Sequence, residues 1–309
     1  MAEELYQRDV YGDTLLKLGQ LDKDIVVLDA DLSCSTKTCI FAKGFPERFF
    51  NFGVAEQNMM AAAAGLAACG KKVFVSTFAV FASGRAWDQV RTSISYNNFD
   101  VKIVATHAGI TVGPDGASHQ ALEDIALMRV LPNMTIIVPC DGPQAADAVY
   151  AAAGTPGPFY IRLGRPKIPT LENKGEFKLG KAQVLTEGDD VSIIACGVMV
   201  SEALSAARSL EQKGIKARVI NIHTIRPLDN ETILKAARET RLIVVCEEHN
   251  VIGGLASSID EVVAENFPRK IIRVGIRNRF GQSGEPAELL KEYNLTGLDI
   301  EKAVLSGIS

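Results

Sequence analysis

The sequence predicts an α/β protein of two domains, each a mainly parallel sheet flanked by helices. Three observations carry this. Short apolar, β-branched runs alternate with stretches of helical period, the pattern of strands joined by crossover helices. The 309 residues, 47% hydrophobic and 23% charged, suffice for two buried cores in a soluble globular chain. A tract rich in proline and glycine, Arg165–Lys181, then breaks the alternation once.

In order along the first half, the strands read Ile25–Asp29, Phe49–Gly53, Lys72–Ser76, Val101–Thr106, Thr135–Pro139 and Phe159–Leu163. Helical patterns lie between them at Gln57–Ala68, Ala79–Tyr96, Gln120–Leu131 and Pro143–Ala153. A second series follows the break. Its strands read Val191–Cys196, Ala217–Ile222, Leu242–Cys246 and Lys270–Val274, with helices near Ser201–Lys213, Asn230–Arg238 and Leu255–Glu265. This places the first domain at 1–170, a linker at 171–184 and the second domain at 185–309.

A net charge of −4 gives no electrostatic reason to expect nucleic acid or an anionic membrane, although a few local arginines can still serve an anionic substrate. The longest apolar run, Met59–Cys69, is too short to span a bilayer and reads as a buried helix. Met1–Val10 carries early acidic residues and no apolar core, unlike a signal peptide. The six cysteines form no CxxC pair, so reduced core thiols in a cytoplasmic protein are expected.

Chemistry in α/β proteins gathers at the carboxyl ends of parallel strands. Here those ends offer Asp29-Ala-Asp31-Leu-Ser-Cys-Ser35, Val54-Ala-Glu56, Thr77-Phe78, the loop His107–His119, and Arg162. Each has a plain alternative. Glu56 at a helix start can simply favour the helix dipole, but a carboxyl group in apolar surroundings can also have its pKa raised by burial and exchange protons near neutrality. Phe78 and Phe81, three apart, can be ordinary core. The glycines of His107–His119 do not match GxGxxG, and two histidines twelve apart do not make a zinc site. Arg8, Ser35 and Arg162 can each be a surface group. Glu247-Glu-His-Asn-Val-Ile-Gly-Gly254 follows a strand and opens a helix, yet paired glutamates oppose anion binding there. Its glycines read as packing, and the second domain as architecture and dimer contacts.

Four segments in register shift this balance. Phe52-Gly-Val-Ala-Glu56-Gln-Asn-Met-Met-Ala-Ala-Ala-Ala-Gly-Leu66, Ser76-Thr-Phe-Ala-Val-Phe81, Ala105-Thr-His107 and Asp115-Gly-Ala-Ser-His-Gln120 resemble the corresponding motifs of the transketolase family, in family order and spacing. Arg279-Phe-Gly-Gln-Ser-Gly284 fits that family's last domain. The resemblance covers essentially the whole chain, as a pyrimidine-binding domain followed by a C-terminal domain.

It implies thiamine diphosphate as cofactor, with Glu56 hydrogen-bonded to a ring nitrogen of the aminopyrimidine and favouring the tautomer that deprotonates the thiazolium carbon. It implies that Phe78 and Phe81 flank the pyrimidine, with Phe81 stacking on it. Gly84 departs from members that place a large side chain there. Asp31 lies beside the thiazolium. Asp115 accepts a bond from a sugar hydroxyl, His107 faces the sugar phosphate, and His119 donates or shuttles a proton near the reacting centre. Arg8, Ser35 and Arg162 clamp the phosphate.

The family holds magnesium and the diphosphate with a Gly-Asp-Gly motif in its N-terminal domain. Gly12-Asp13-Thr14 and Gly188-Asp189-Asp190 do not match it, and no other segment of this chain does. The resemblance therefore implies the C-terminal subunit of a split transketolase. The Mg2+ ligands are then expected on an N-terminal partner subunit with the diphosphate-binding domain, in a dimer of heterodimers acting on sugar phosphates of the pentose phosphate pathway. Against a deoxyxylulose phosphate synthase fragment stand Asn58 and the Ala108-Gly109 pair, and against a 2-oxoacid dehydrogenase beta subunit stands Asp-Gly-Ala-Ser-His. A non-catalytic binding or regulatory α/β subunit is the remaining alternative, and the retained Glu56, Phe81, His107, Asp115 and Arg162 argue against it.

Overall fold

Strands buried on both faces are largely apolar, which is how runs such as Ile25–Leu28 and Leu242–Cys246 come to lie inside parallel sheets. The computed structural model describes residues 3–172 and 175–308. Met1 and Ala2 of the expected first domain, Asn173 and Lys174 of the expected linker, and Ser309 lie outside the described residues. The strands are β1 Glu4–Tyr6, β2 Ile25–Asp29, β3 Phe49–Asn51, β4 Lys72–Phe78, β5 Val101–Thr106, β6 Thr135–Ile137, β7 Phe159–Arg162 and β8 Lys167–Pro169. They continue with β9 Gln183–Thr186, β10 Val191–Ala195, β11 Ala217–Asn221, β12 Thr224–Arg226, β13 Leu242–Asn250 and β14 Ile271–Ile276.

The first domain is built on a seven-stranded sheet in the order β12-β6-β7-β5-β4-β2-β3. Every pairing in it is parallel except that of β12, which arrives from the second half of the chain and pairs antiparallel with β6, Thr224 opposite Ile137. The second domain has the order β14-β13-β10-β11-β9, parallel apart from the edge strand β9. Ile125 and Met128 share one apolar core with Ile225, Leu255 and Ile259, so the two domains are packed together. No helix among the described residues is long and apolar enough to cross a membrane.

The helices follow local chemistry. Asp141 accepts the Gln144 N–H and Asp229 that of Thr232, capping Gly142–Gly154 and Asn230–Glu239. The helix Glu56–Ala68 buries Met59, Met60, Ala63 and Ala64 and leaves Gln57, Asn58, Ala61, Gly65 and Ala68 exposed.

Several expectations are corrected. The helix expected over Ala79–Tyr96 is interrupted by wide turns at Phe81–Arg85 and Val90–Ser95, where bonds such as Tyr96 N–H to Arg91 O skip one residue more than an α-helix does. That expected over Gln120–Leu131 shrinks to Asp124–Arg129, because the Gln120 side chain instead bonds Ile110 O and Gln282 O. Helices Gln7–Leu21, Pro286–Glu292 and Gly297–Ile308 were not expected. Within Gln7–Leu21, Gly12 and Gly19 interrupt the apolar stripe because Lys37, Phe41 and Phe45 press against the space a Cβ would fill. Strand β13 runs past the expected Cys246, which puts Glu247, Glu248 and His249 on the strand rather than after it.

Close backbone packing gives a stability test. A Cβ on Gly188 would lie 2.5 Å from the Ala217 carbonyl carbon, whereas one on Gly154 meets nothing within 4 Å. Gly188→Ala should lower stability in urea by about 1–3 kcal/mol. Gly154→Ala should be neutral or raise it by up to about 1 kcal/mol.

Candidate functional site

Parallel register brings the strand ends together. Asp29 on β2 lies beside Asn51 and Ser76, Phe78 beside Thr106, and Ala105 beside Arg162. The loops leaving β2, β3, β4, β5 and β7 therefore converge on one edge.

Asp29 is fully buried and shapes the first loop. Its carboxylate accepts the Leu32 N–H at 2.7 Å and the hydroxyls of Thr36 and Thr38 at 2.8 and 2.9 Å. Burial pushes this carboxyl up, and those three bonds oppose the shift. Asp31 is exposed with φ of 64°, its N–H held by Asn51 Oδ1 at 3.0 Å. Ser35 turns its carbonyl toward Arg8, whose Nη1 donates at 3.4 Å. The Nε of Arg8 is buried with no hydrogen-bond partner. An orphaned cationic donor beside these loops is what an anionic oxygen would satisfy.

Glu56, 1% exposed, opens the helix after β3. Its two oxygens accept from Nη1 of Arg85 at 2.9 and 3.0 Å, and the Arg85 guanidinium lies over the Phe81 ring, 4.5 Å from its centroid. Phe78 and Phe81 are near-parallel with centroids 6.0 Å apart, and His119 stands edge-on to Phe81 at 5.5 Å. The His119 Nδ1 pairs with the Ser118 hydroxyl at 2.9 Å.

His107 joins the two groups. Its ring stacks on Phe78 at 3.8 Å, and its backbone is left-handed with φ of 54°. Arg8 can only donate, so the Nε2 it meets at 3.4 Å accepts; the ring proton then sits on Nδ1, 2.9 Å from Thr106 Oγ1. Burial first, then the nearby guanidinium charges of Arg8 and Arg165, lower this imidazole to about 3, so it is neutral.

Asp115 meets Arg165 Nη1 at 3.5 Å, and the same nitrogen donates to Val112 O. Arg165 was not among the expected site residues. It is one third exposed, faces Asp115 and contributes to the charge around His107. Arg162, expected in the clamp, is corrected. It is 5% exposed, its Nε bonds Asp124 Oδ2 at 2.8 Å, and its Nη2 bonds the carbonyls of Ala121 and Glu248. Burial opposes its charge, but Asp124 and Glu248 outweigh that and hold it above its ordinary value. A guanidinium so occupied has no fork left for a phosphate. No sequence signal separates Arg165 from Arg162, three residues before it, as the arginine that faces this loop.

Comparison with known proteins places this geometry. Residues 3–170 match the family model "Transketolase, pyrimidine binding domain", and residues 180–300 match "Transketolase, C-terminal domain". A Methanocaldococcus jannaschii protein named "Putative transketolase C-terminal section" is 49% identical, covering 96% of this chain and 95% of its own. A 6-deoxy-6-sulfo-D-fructose transketolase subunit of a Clostridium species is 43% identical over 97% of this chain and 94% of its own. A solved structure described as "Split gene transketolase, inactive beta4 tetramer" superposes with a TM-score of 0.91 at 51% identity, covering 98% of both chains.

Two measurements check the geometry. Arg162→Ala leaves Asp124 and Glu248 as buried unpaired acids and should cost about 3–5 kcal/mol of stability; Arg165→Ala should cost under about 1 kcal/mol. The second is a pH series. The folded chain keeps His107 neutral down to about 3. The unfolded imidazole takes its proton below roughly 6.5. Between those values the unfolded state binds the extra proton, so stability falls as pH drops, at up to about 1.4 kcal/mol per pH unit from this group. His107→Gln should remove that share of the slope, and an unchanged slope would contradict it.

Proposed function

The chain belongs to the transketolase family, as the counterpart of the C-terminal subunit of its split enzymes, and on that premise we propose a two-subunit transketolase. With an N-terminal partner it transfers a two-carbon ketol unit from a ketose phosphate to an aldose phosphate, using thiamine diphosphate. One observation carries the reading: the buried Glu56 carboxylate accepts its bonds from a flat, N–H-donating group that lies over the Phe81 ring.

That group is Arg85, and its contacts are those an aminopyrimidine requires, a flat face on Phe81 and an N–H to Glu56. Arg85 is about half exposed, and the adjacent Gly84 has open space where a side chain would stand. It can leave toward solvent as the ring enters. Thiamine diphosphate, when bound, supplies the nucleophilic carbon and the electron sink. Glu56 would hold a proton at the ring nitrogen, and Phe78 and Phe81 would fix the ring plane. Asp31 would balance the cofactor's positive ring.

For the sugar, Arg8 and Arg165 would take the terminal phosphate, with the free Arg8 Nε as one donor and Ser35 as a neutral one. Neutral His107 adds no charge to that site and would orient the sugar between Arg8 and Phe78. Asp115 would accept a hydroxyl bond, and His119 would donate or relay a proton beside Phe81. The Mg2+ and diphosphate ligands would come from the partner, since no Gly-Asp-Gly occurs here. The exposed residues around Glu56, including Val54, Gln57, Asn58 and Ala61, would meet that partner, and copies of the pair would assemble as a dimer of heterodimers in the cytoplasm.

Mixing is the direct test. The purified chain should show no ketol transfer with thiamine diphosphate, Mg2+, xylulose 5-phosphate and ribose 5-phosphate, and activity should appear when a subunit bearing Gly-Asp-Gly is added. Transfer by this chain alone would refute the two-subunit reading. In the assembled enzyme, Glu56→Gln should slow deuterium exchange at the cofactor's thiazolium carbon by about 10²–10⁴-fold. Arg165→Ala should weaken KM for phosphorylated donors by about 1.5–3 kcal/mol. Hydroxypyruvate should be nearly unaffected, and equal losses for both donors would remove Arg165 from the clamp.

A further inference from the structure

The second domain supplies a residue to the substrate loop. Just before its last residue, Asn250, strand β13 carries Glu247, Glu248 and His249, all buried. Glu247 has a local task, since its oxygens accept the N–H groups of Leu255 and Ala256 at the start of the following helix. Glu248 points the other way. Its Oε1 accepts the Thr111 N–H at 2.5 Å, in the middle of the loop between His107 and His119. Gly109 in the same loop has φ of 81°, and a Cβ built there would lie 2.2 Å from the Glu248 carboxyl carbon. The carboxyl group therefore fills the place of a missing side chain. Any residue but glycine at 109 would force that carboxyl group to shift.

The rest of the loop packs against Ser283, Pro286 and Leu289 of the second domain, but its other hydrogen bonds lie within its own domain or near its ends. Ala108 N–H bonds Leu163 O and Gly109 N–H bonds Ala121 O. At the far end Gln120 reaches Ile110 O and Gln282 O, and Asn250 N–H bonds Leu122 O at 2.7 Å. Thr111 lies between His107 and Asp115 and is held from the second domain by Glu248. The charge of Glu248 is met by Arg162, whose Nη1 is 3.9 Å from Oε2 while its Nη2 bonds the Glu248 carbonyl at 3.0 Å. Arg162 is in turn fixed by Asp124.

We infer that Glu248 is a positioning residue, which sets the spacing of His107 and Asp115 by holding the Thr111 amide against the buried Arg162. This rests on the reading of that loop as the sugar-phosphate site. Glu248 meets Thr111, the space beside Gly109 and Arg162, so its effect on the reaction passes through them. Geometry of this kind matters because a misplacement of about 1 Å can cost on the order of a hundredfold in rate.

The test uses Glu248→Ala and Glu248→Gln, where Gln keeps an oxygen for Thr111 but no charge for Arg162. In the chain itself, amide exchange at Thr111 and its neighbours should accelerate about tenfold or more in Glu248→Ala, with the amides of β4 and β5 unchanged. In the enzyme assembled with its diphosphate-binding partner, KM for the ketose phosphate should rise and kcat should fall in the same variant, with thiamine diphosphate affinity held within about twofold, since the Glu56 and Phe81 contacts are untouched. Glu248→Gln should restore Thr111 protection and most of kcat/KM. Unchanged exchange at Thr111 in Glu248→Ala, or faster exchange spread evenly through β4 and β5 with equal loss of cofactor affinity, overturns the inference. Should the wild-type pair transfer no ketol unit, the functional reading fails instead, and the exchange measurement still decides whether Glu248 anchors the loop.

Discussion

Burying a charge is possible only when another charge and a full set of hydrogen bonds meet it, and the Arg162–Asp124 pair is where this molecule does so. The pair sits at the end of β7, between the first domain's helix Asp124–Arg129 and the second domain's β13. Tyr160 adds its hydroxyl to Asp124 at 2.7 Å, and the Arg162 guanidinium also reaches two backbone carbonyls. Little of this is adjustable, because every participant is buried. The consequence is a fixed joint: the ends of the parallel strands, the loop His107–His119 and the second domain take their positions from the same few atoms.

Around that joint the site divides into an apolar half and a cationic half. Phe78 belongs to both, facing Phe81 on one side and His107 on the other. A neutral imidazole between two arginines is a compromise that burial enforces, since a third positive charge there would have no counter-ion. The site can thus attract an anion through Arg8 and Arg165 while leaving His107 free as a hydrogen-bonding wall rather than a competing charge.

Much of this was legible in the residues, and the part that was not has identifiable reasons. The parallel-sheet class followed from apolar runs buried on both faces, and the strand ends pointed to the loops that hold Glu56, His107, Asp115 and His119. Which arginine faces the loop did not follow. Arg162 and Arg165 are three residues apart, and only the structure shows that the first ends inside a strand with an acidic partner 38 positions away. Arg85 was hidden for a similar reason, since a bond to Glu56 across 29 residues has no local signal. Glu248 read as unfavourable for an anion at a helix start because the strand was taken to end at Cys246. Two adjacent glutamates on an extended chain point to opposite sides, so one caps the helix and the other reaches the loop.

The antiparallel strand β12 has a consequence for how such a chain can be divided. It lies beyond the tract that separates the two domains in sequence, yet it completes the sheet of the first by covering β6 through Thr224 and Arg226. A fragment ending in that tract would expose the main-chain donors and acceptors of Thr135–Ile137 as a bare edge, open to pairing with another copy. A gene cut between the two domains would trade a covered edge for an adhesive one.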